Sequence, residues 1–142
     1  AGGECLTAAY EWQVFTGVDG FDIGQPDASF TGGMGEFLAV ARLLADRGRR
    51  LATHAWGAGG SLMQNIHAGF AAANTCMLEI PPDYAGLHAE VIDGGLRIVD
   101  GHVLPPDRPG LGIVLSAETR RRYPFRPGSG EFNSVPGKIL RD

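Results

Sequence analysis

The sequence predicts an α/β fold built on a parallel sheet, and three observations point there. Over the first 80 residues, segments with apolar residues at three- and four-residue steps alternate with short apolar runs of strand type. The connections between them are short, as they are where helices cover a parallel sheet. Glycine is in excess, 22 of 142 residues against a usual share of ~7%. The glycines cluster between apolar stretches without a period, which excludes collagen and suits many tight turns. With 44% hydrophobic and 20% charged residues, the chain has the composition of one packed domain.

The elements follow in order. Thr7 to Phe15 reads as a short helix, with Ala8, Ala9, Trp12 and Phe15 at helical spacing and Gly17 as its stop. Phe21 to Gln25 is a brief strand ended by Pro26, which cannot donate to a ladder. Thr31-Gly32-Gly33 is a turn. Met34, Phe37, Leu38, Val40, Ala41 and Leu44 then define an amphipathic helix that ends at Gly48. Arg50 to Ala55 is the second strand, Trp56 to Gly60 a loop, and Ser61 the N-cap of a helix running to about Ala73. Thr75 to Ile80 is the third strand, stopped by Pro81-Pro82. Thereafter the alternation ends. Leu96 to Val99 and His102 to Leu104 form a hairpin around the Asp100-Gly101 turn. Beyond Pro105 the chain is rich in proline and arginine and reads as an extended tail.

Composition narrows the function classes. A net charge of -4 and a pI near 5.5 argue against a nucleic-acid surface. No apolar run approaches the roughly 18–20 residues of a membrane span. Ala1 to Glu4 carry neither a signal peptide nor an initiator methionine, so a cut, processed or incomplete chain is expected. Cys5 and Cys76 have no metal-ligand spacing and read as two reduced, semi-buried thiols of a cytoplasmic protein.

In parallel α/β folds the chemistry gathers at the carboxyl ends of strands. Glu4, Asp27, His54 and Glu79 each fall at such an end, each polar and each closing an apolar or small-residue segment. Four successive strand ends of this kind are out of the ordinary.

These residues carry a resemblance. Gly3-Glu4, Pro26-Asp27-Ala28 followed by Gly32-Gly33, Thr53-His54 and Leu78-Glu79 resemble the mandelate racemase/muconate lactonizing enzyme branch of the enolase superfamily. Asp100-Gly101-His102-Val103-Leu104-Pro105 and Pro109-Gly110-Leu111-Gly112-Ile113 are similar to that family's C-terminal tail, and the order and spacing of the four strand-end residues suit it. The resemblance covers nearly the whole chain. It implies the C-terminal portion of a TIM-type barrel, about strands five to eight, over residues 1–95, with a hairpin and tail over 96–142 that pack on the barrel and a capping domain. A whole barrel of this type takes ~250 residues, so 142 would be about half.

The same resemblance implies a reaction: abstraction of the proton alpha to a carboxylate, by a His or Lys base with Mg²⁺ stabilising the enediolate, a pairing known for the superfamily. Carried over, Glu4 would be one of three carboxylate ligands to Mg²⁺. Asp27 and His54 would form the proton-abstracting dyad, and Glu79 would hydrogen-bond a substrate carboxylate oxygen. The expected function is an acid-sugar dehydratase. A racemase or epimerase of the same branch, and a truncated binding or interaction module, are the alternatives. The substrate would be a small carboxylate, the partners the missing N-terminal half of the enzyme and further copies of it, with no nucleic acid and no membrane.

Other features bear less weight. Gly57 to Ser61 either lends amides or shape to a substrate pocket or is a plain helix entry; Leu62 stands where a dinucleotide fingerprint needs its third glycine. Trp56 either walls the pocket or packs in the core. His67, His88 and His102 lack ligand spacing and read as structural or surface residues. Arg120-Arg121-Arg122 reads as a solvated or salt-bridged surface. An unrelated small α/β enzyme using the glycine loop is a third possibility, which nucleotide binding would reveal.

Overall fold

In a computed structural model, residues 1–57, 59–82 and 86–125 are described. The expected alternation is present. Helix α1 (Ala9–Gly17) leads to β1 (Ile23–Gly24), α2 (Met34–Ala45), β2 (Arg50–Ala52), α3 (Gly59–Ala71) and β3 (Thr75–Met77). The three strands form one parallel sheet in the order β1-β2-β3, with Ile23 opposite Arg50 and Leu51 opposite Thr75. Gly2 adds a parallel bridge to Gly24 on the far side of β1. Residues 2, 24, 51 and 75 therefore lie side by side on four parallel segments.

The strands are shorter than their apolar runs because side chains take over the hydrogen bonding at their carboxyl ends. Thr53 N–H still donates to Met77 O at 3.1 Å, and His54 N–H to Pro26 O at 3.1 Å. Past these points the Glu79 amide donates to Thr53 Oγ1 at 3.0 Å, and the Ala55 amide to Glu79 Oε2 at 2.8 Å. These cross-links keep three strand ends in register where the ladder has stopped.

The core has two parts. Trp12, Phe37, Val40, Leu44 and Leu51 join α1, α2 and the sheet. Ala55, Leu62, Met63, Ile66 and Ile92 join α3 to the segment that follows β3. Gly24 is dictated by the first cluster. A Cβ there would lie 2.5 Å from Leu44 Cδ1 and 2.9 Å from Trp12 Cζ3, so only glycine lets α1 and α2 close on the strand.

Several expectations are corrected. Helix α3 begins at Gly59, so Ser61 lies inside the first turn and is not its N-cap; its Oγ has no partner among the described residues. A short helix, α4 (Leu87–Ile92), follows β3 and buries Val91 and Ile92. The hairpin forms as β4 (Ile98–Val99) and β5 (His102–Val103), with Val99 opposite His102. The tail is not extended throughout. Ala117–Arg122 is helix α5, because Ser116 Oγ accepts from Thr119 N–H at 2.9 Å and Arg122 pairs with Glu90 and Glu118. Of the arginine run, Arg122 is thus salt-bridged, as a surface reading expects. Both cysteines are exposed rather than semi-buried, Cys76 on the outermost strand and Cys5 in the turn after the Gly2 bridge. The remainder of the tail, residues 126–142, lies outside the described residues. Among the described residues no helix is long and apolar enough to cross a membrane.

Candidate active site

The four strand-end residues occupy equivalent places. Glu4 follows the Gly2 bridge, Asp27 follows β1, His54 follows β2 and Glu79 follows β3, each two or three residues past the last paired position. Parallel strands carry all four to one end of the sheet.

Asp27 and His54 form the centre. His54 Nδ1 is 2.9 Å from Asp27 Oδ2. Asp27 is 1% exposed, and its other oxygen is occupied as well. Oδ1 accepts from Ser29 N–H at 2.8 Å, Ser29 Oγ–H at 2.6 Å and Asn65 Nδ2–H at 2.8 Å. Burial alone would raise the pKa of this carboxyl. The bonds from Ser29 and Asn65, with that from His54, outweigh burial and hold it below the usual carboxylate range. An ionised carboxylate only accepts, so Nδ1 carries the proton of the shared bond.

The opposite ring nitrogen points elsewhere. His54 Nε2 faces Glu4 Oε2 at 3.4 Å, longer than the roughly 2.7–3.2 Å of a well-made bond. The His54 side chain is 14% exposed and that of Glu4 57%, so the imidazole is mostly enclosed except toward the carboxylate and solvent. An imidazole fixed at Nδ1 and open at Nε2 is the arrangement of a positioned general base.

Glu79 is tied in through Oε2, which accepts from Ala55 N–H, while its backbone is held by Thr53. Trp56 is 58% exposed and so does not pack in the core. Gly57 lies against α3: a Cβ there would meet Ser61 Oγ at 1.9 Å. A cavity of about 530 Å³ lies away from these groups, between the end of α3, β3 and the hairpin, lined by Phe70, Met77 and His102 among others. It touches none of the four strand-end residues.

Two polar residues of the site were not singled out by sequence, Ser29 and Asn65, and Thr53 entered only as part of the Thr53-His54 motif, without a role. Asn65 had a visible signal. It sits at a core position of α3 between Leu62 and Ile66, where a polar side chain needs a partner.

Residues 1–119 match the family described as enolase C-terminal domain-like. The chain belongs to that family. It is a member of the enolase superfamily, on its mandelate racemase/muconate lactonizing enzyme branch. Arabinonate dehydratase of Saccharolobus solfataricus is 30% identical over 115 residues, which cover 81% of this chain and 31% of that enzyme. D-galactarolactone cycloisomerase of Agrobacterium fabrum is 31% identical over 134 residues, 87% of this chain and 35% of that enzyme. The crystal structure of a mandelate racemase/muconate lactonizing enzyme from Jannaschia sp. CCS1 superposes with a TM-score of 0.77 at 30% identity, covering 87% of this chain and 31% of the other. The chain thus spans about a third of the length of these superfamily relatives.

Enolase-superfamily enzymes generally use Mg²⁺. The residues present suit such an ion in kind but not in number. Glu4 offers a hard, exposed carboxylate, yet among the described residues no group of three or more His, Cys, Asp or Glu could hold a metal.

Proposed function

We propose that this chain is the C-terminal barrel segment, residues 1–95 with a hairpin and tail over 96–142, of an acid-sugar dehydratase of the mandelate racemase branch. The observation that carries the reading is the His54 imidazole, held at Nδ1 by a buried, ionised Asp27 and open at Nε2. Dehydratase and cycloisomerase relatives at about 30% identity support the substrate class.

In this reading the substrate carbon alpha to a carboxylate lies against Nε2. The C–H bond breaks, its proton passes to Nε2, and the electron pair moves into the carboxylate as an enediolate. The resulting imidazolium is stabilised by Asp27. When a hydroxyl stands beta to the carboxylate, the same Nε2–H donates to it as the C–O bond breaks, and water leaves. Glu79 hydrogen-bonds a substrate carboxylate oxygen through Oε1, which requires its acid form because only the acid donates. Trp56 and Gly57 border the substrate. Glu4 would lend a carboxylate to Mg²⁺, and a bound ion would lower the barrier by stabilising negative charge on the substrate carboxylate. The remaining ligands and the cover over the substrate come from the rest of the enzyme.

The test is a panel of aldonic and aldaric acids offered to the complete enzyme in D₂O. The proposal expects a 2-keto-3-deoxy acid from at least one of them, with one water lost per turnover. The cycloisomerase match favours a second outcome, rearrangement without net loss of water. Neither product, and no deuterium at the alpha carbon of any acid, would refute the reading.

A further inference from the structure

The structure assigns a positioning role to Asn65, which, with Ser29 as its partner from the loop after β1, clamps Asp27 so that one oxygen only is left for His54. The inference rests on the proposed Asp27–His54 pair and extends it to a residue on a different element.

Asn65 is 0% exposed in the middle of α3, and all of its principal hydrogen-bonding directions are used. One Nδ2 hydrogen goes to Asp27 Oδ1 at 2.8 Å, the other to Ser61 O at 3.1 Å. Its Oδ1 accepts from Ala28 N–H at 2.7 Å. The orientation of the amide is unambiguous, because a carboxylate oxygen lies against one end and a backbone N–H against the other. A single side chain thereby grips both the backbone and the carboxylate of the Asp27-Ala28 pair.

The consequence concerns rotation. A carboxylate that accepts only from His54 is free to turn about its terminal torsion, which is soft. Here Oδ1 is fixed by three donors from two elements, Ser29 in the loop and Asn65 in the helix. Oδ2 is then directed at Nδ1, which sets the tautomer and leaves Nε2 as the open nitrogen. Without the Asn65 donor only the two bonds from Ser29 hold Oδ1, and the direction of Oδ2 toward Nδ1 is set less tightly.

Asn65→Asp is the discriminating variant. It keeps the shape and the acceptor for Ala28 N–H but sets an acceptor against Asp27 Oδ1. Two readouts apply to the complete enzyme: the downfield proton resonance of the His54 Nδ1–H bond to Asp27, and steady-state kinetics. The resonance should shift or vanish, and kcat should fall by about 10- to 100-fold, the range typical when a group that orients a functional metal-binding histidine is lost. KM should stay within about twofold, because Asn65 does not face the substrate. An unmoved resonance in the folded variant, or a moved resonance with unchanged kcat where His54→Asn abolishes exchange, would overturn the assignment. If Asn65→Asp does not fold, Ser29→Ala removes another bond to the same oxygen at an exposed position, and the same displacement of the resonance is expected; an unmoved one counts against the clamp. Failure of the functional reading itself is seen separately, as alpha-proton exchange retained in His54→Asn while the Asn65→Asp resonance is still displaced.

Discussion

Asp27 is a carboxylate the fold could not hold ionised without help, since burying an unpaired charge costs several kcal/mol. Four donors supply that help: two from Ser29, one from Asn65 and one from His54. Because its folded pKa is depressed, Asp27 contributes stability that is fully present above the unfolded value of about 3.9 and is lost as pH falls through the lower folded value. Asp27→Asn should therefore lower the urea midpoint at pH 7, and the gap from the parent protein should narrow as pH drops below about 4. A gap that widens toward low pH would contradict this assignment. The same variant should lose about 10²- to 10⁴-fold in kcat, the usual contribution of a positioned general base, since an amide no longer dictates which imidazole nitrogen is protonated.

At the scale of elements, close approach and capping decide more than apolar pattern. Gly24→Ala would drive a methyl into Leu44 and Trp12 and should cost roughly 1–3 kcal/mol, read as a shifted denaturation midpoint with an unchanged m-value. Ser116→Ala removes the cap of α5 and should cost about 1 kcal/mol locally, seen as faster amide exchange at Thr119. These contacts also explain what the sequence could and could not reveal. Helix α2 was legible because its apolar residues follow the helical period, and the three parallel strands because short apolar runs stand between turn residues. The strand ends were legible only as places: Glu4, Asp27, His54 and Glu79 stood out, but the side-chain bonds that shorten the ladders depend on partners 24 to 38 residues away. Helix α5 was invisible because Ala117–Arg122 has no apolar period. It is held by a serine cap and by Arg122 bonded to Glu90, 32 residues earlier. Asn65 was legible only as a polar residue at a core position of α3; its partners Asp27 and Ala28 lie on a distant segment.

The molecule as a whole presents, at one end of a parallel sheet, a histidine held by a buried carboxylate with the exposed carboxylate of Glu4 beside it, on about a third of the length of its relatives. That combination separates two properties that a complete enzyme joins. The 142-residue chain alone should bind Mg²⁺ only weakly, because Glu4 is not accompanied by further ligands among the described residues; calorimetric titration should show no saturation at stoichiometric metal, and tight one-to-one binding would contradict it. The proposed proton-transfer pair, Asp27 and His54, by contrast lies within this chain. The most direct measurement is exchange of the alpha proton of an accepted sugar acid in D₂O, followed by NMR, in the complete enzyme and its His54→Asn variant. Exchange should disappear in the variant while Mg²⁺ affinity stays nearly unchanged, and exchange that persists in His54→Asn would show that the base lies elsewhere.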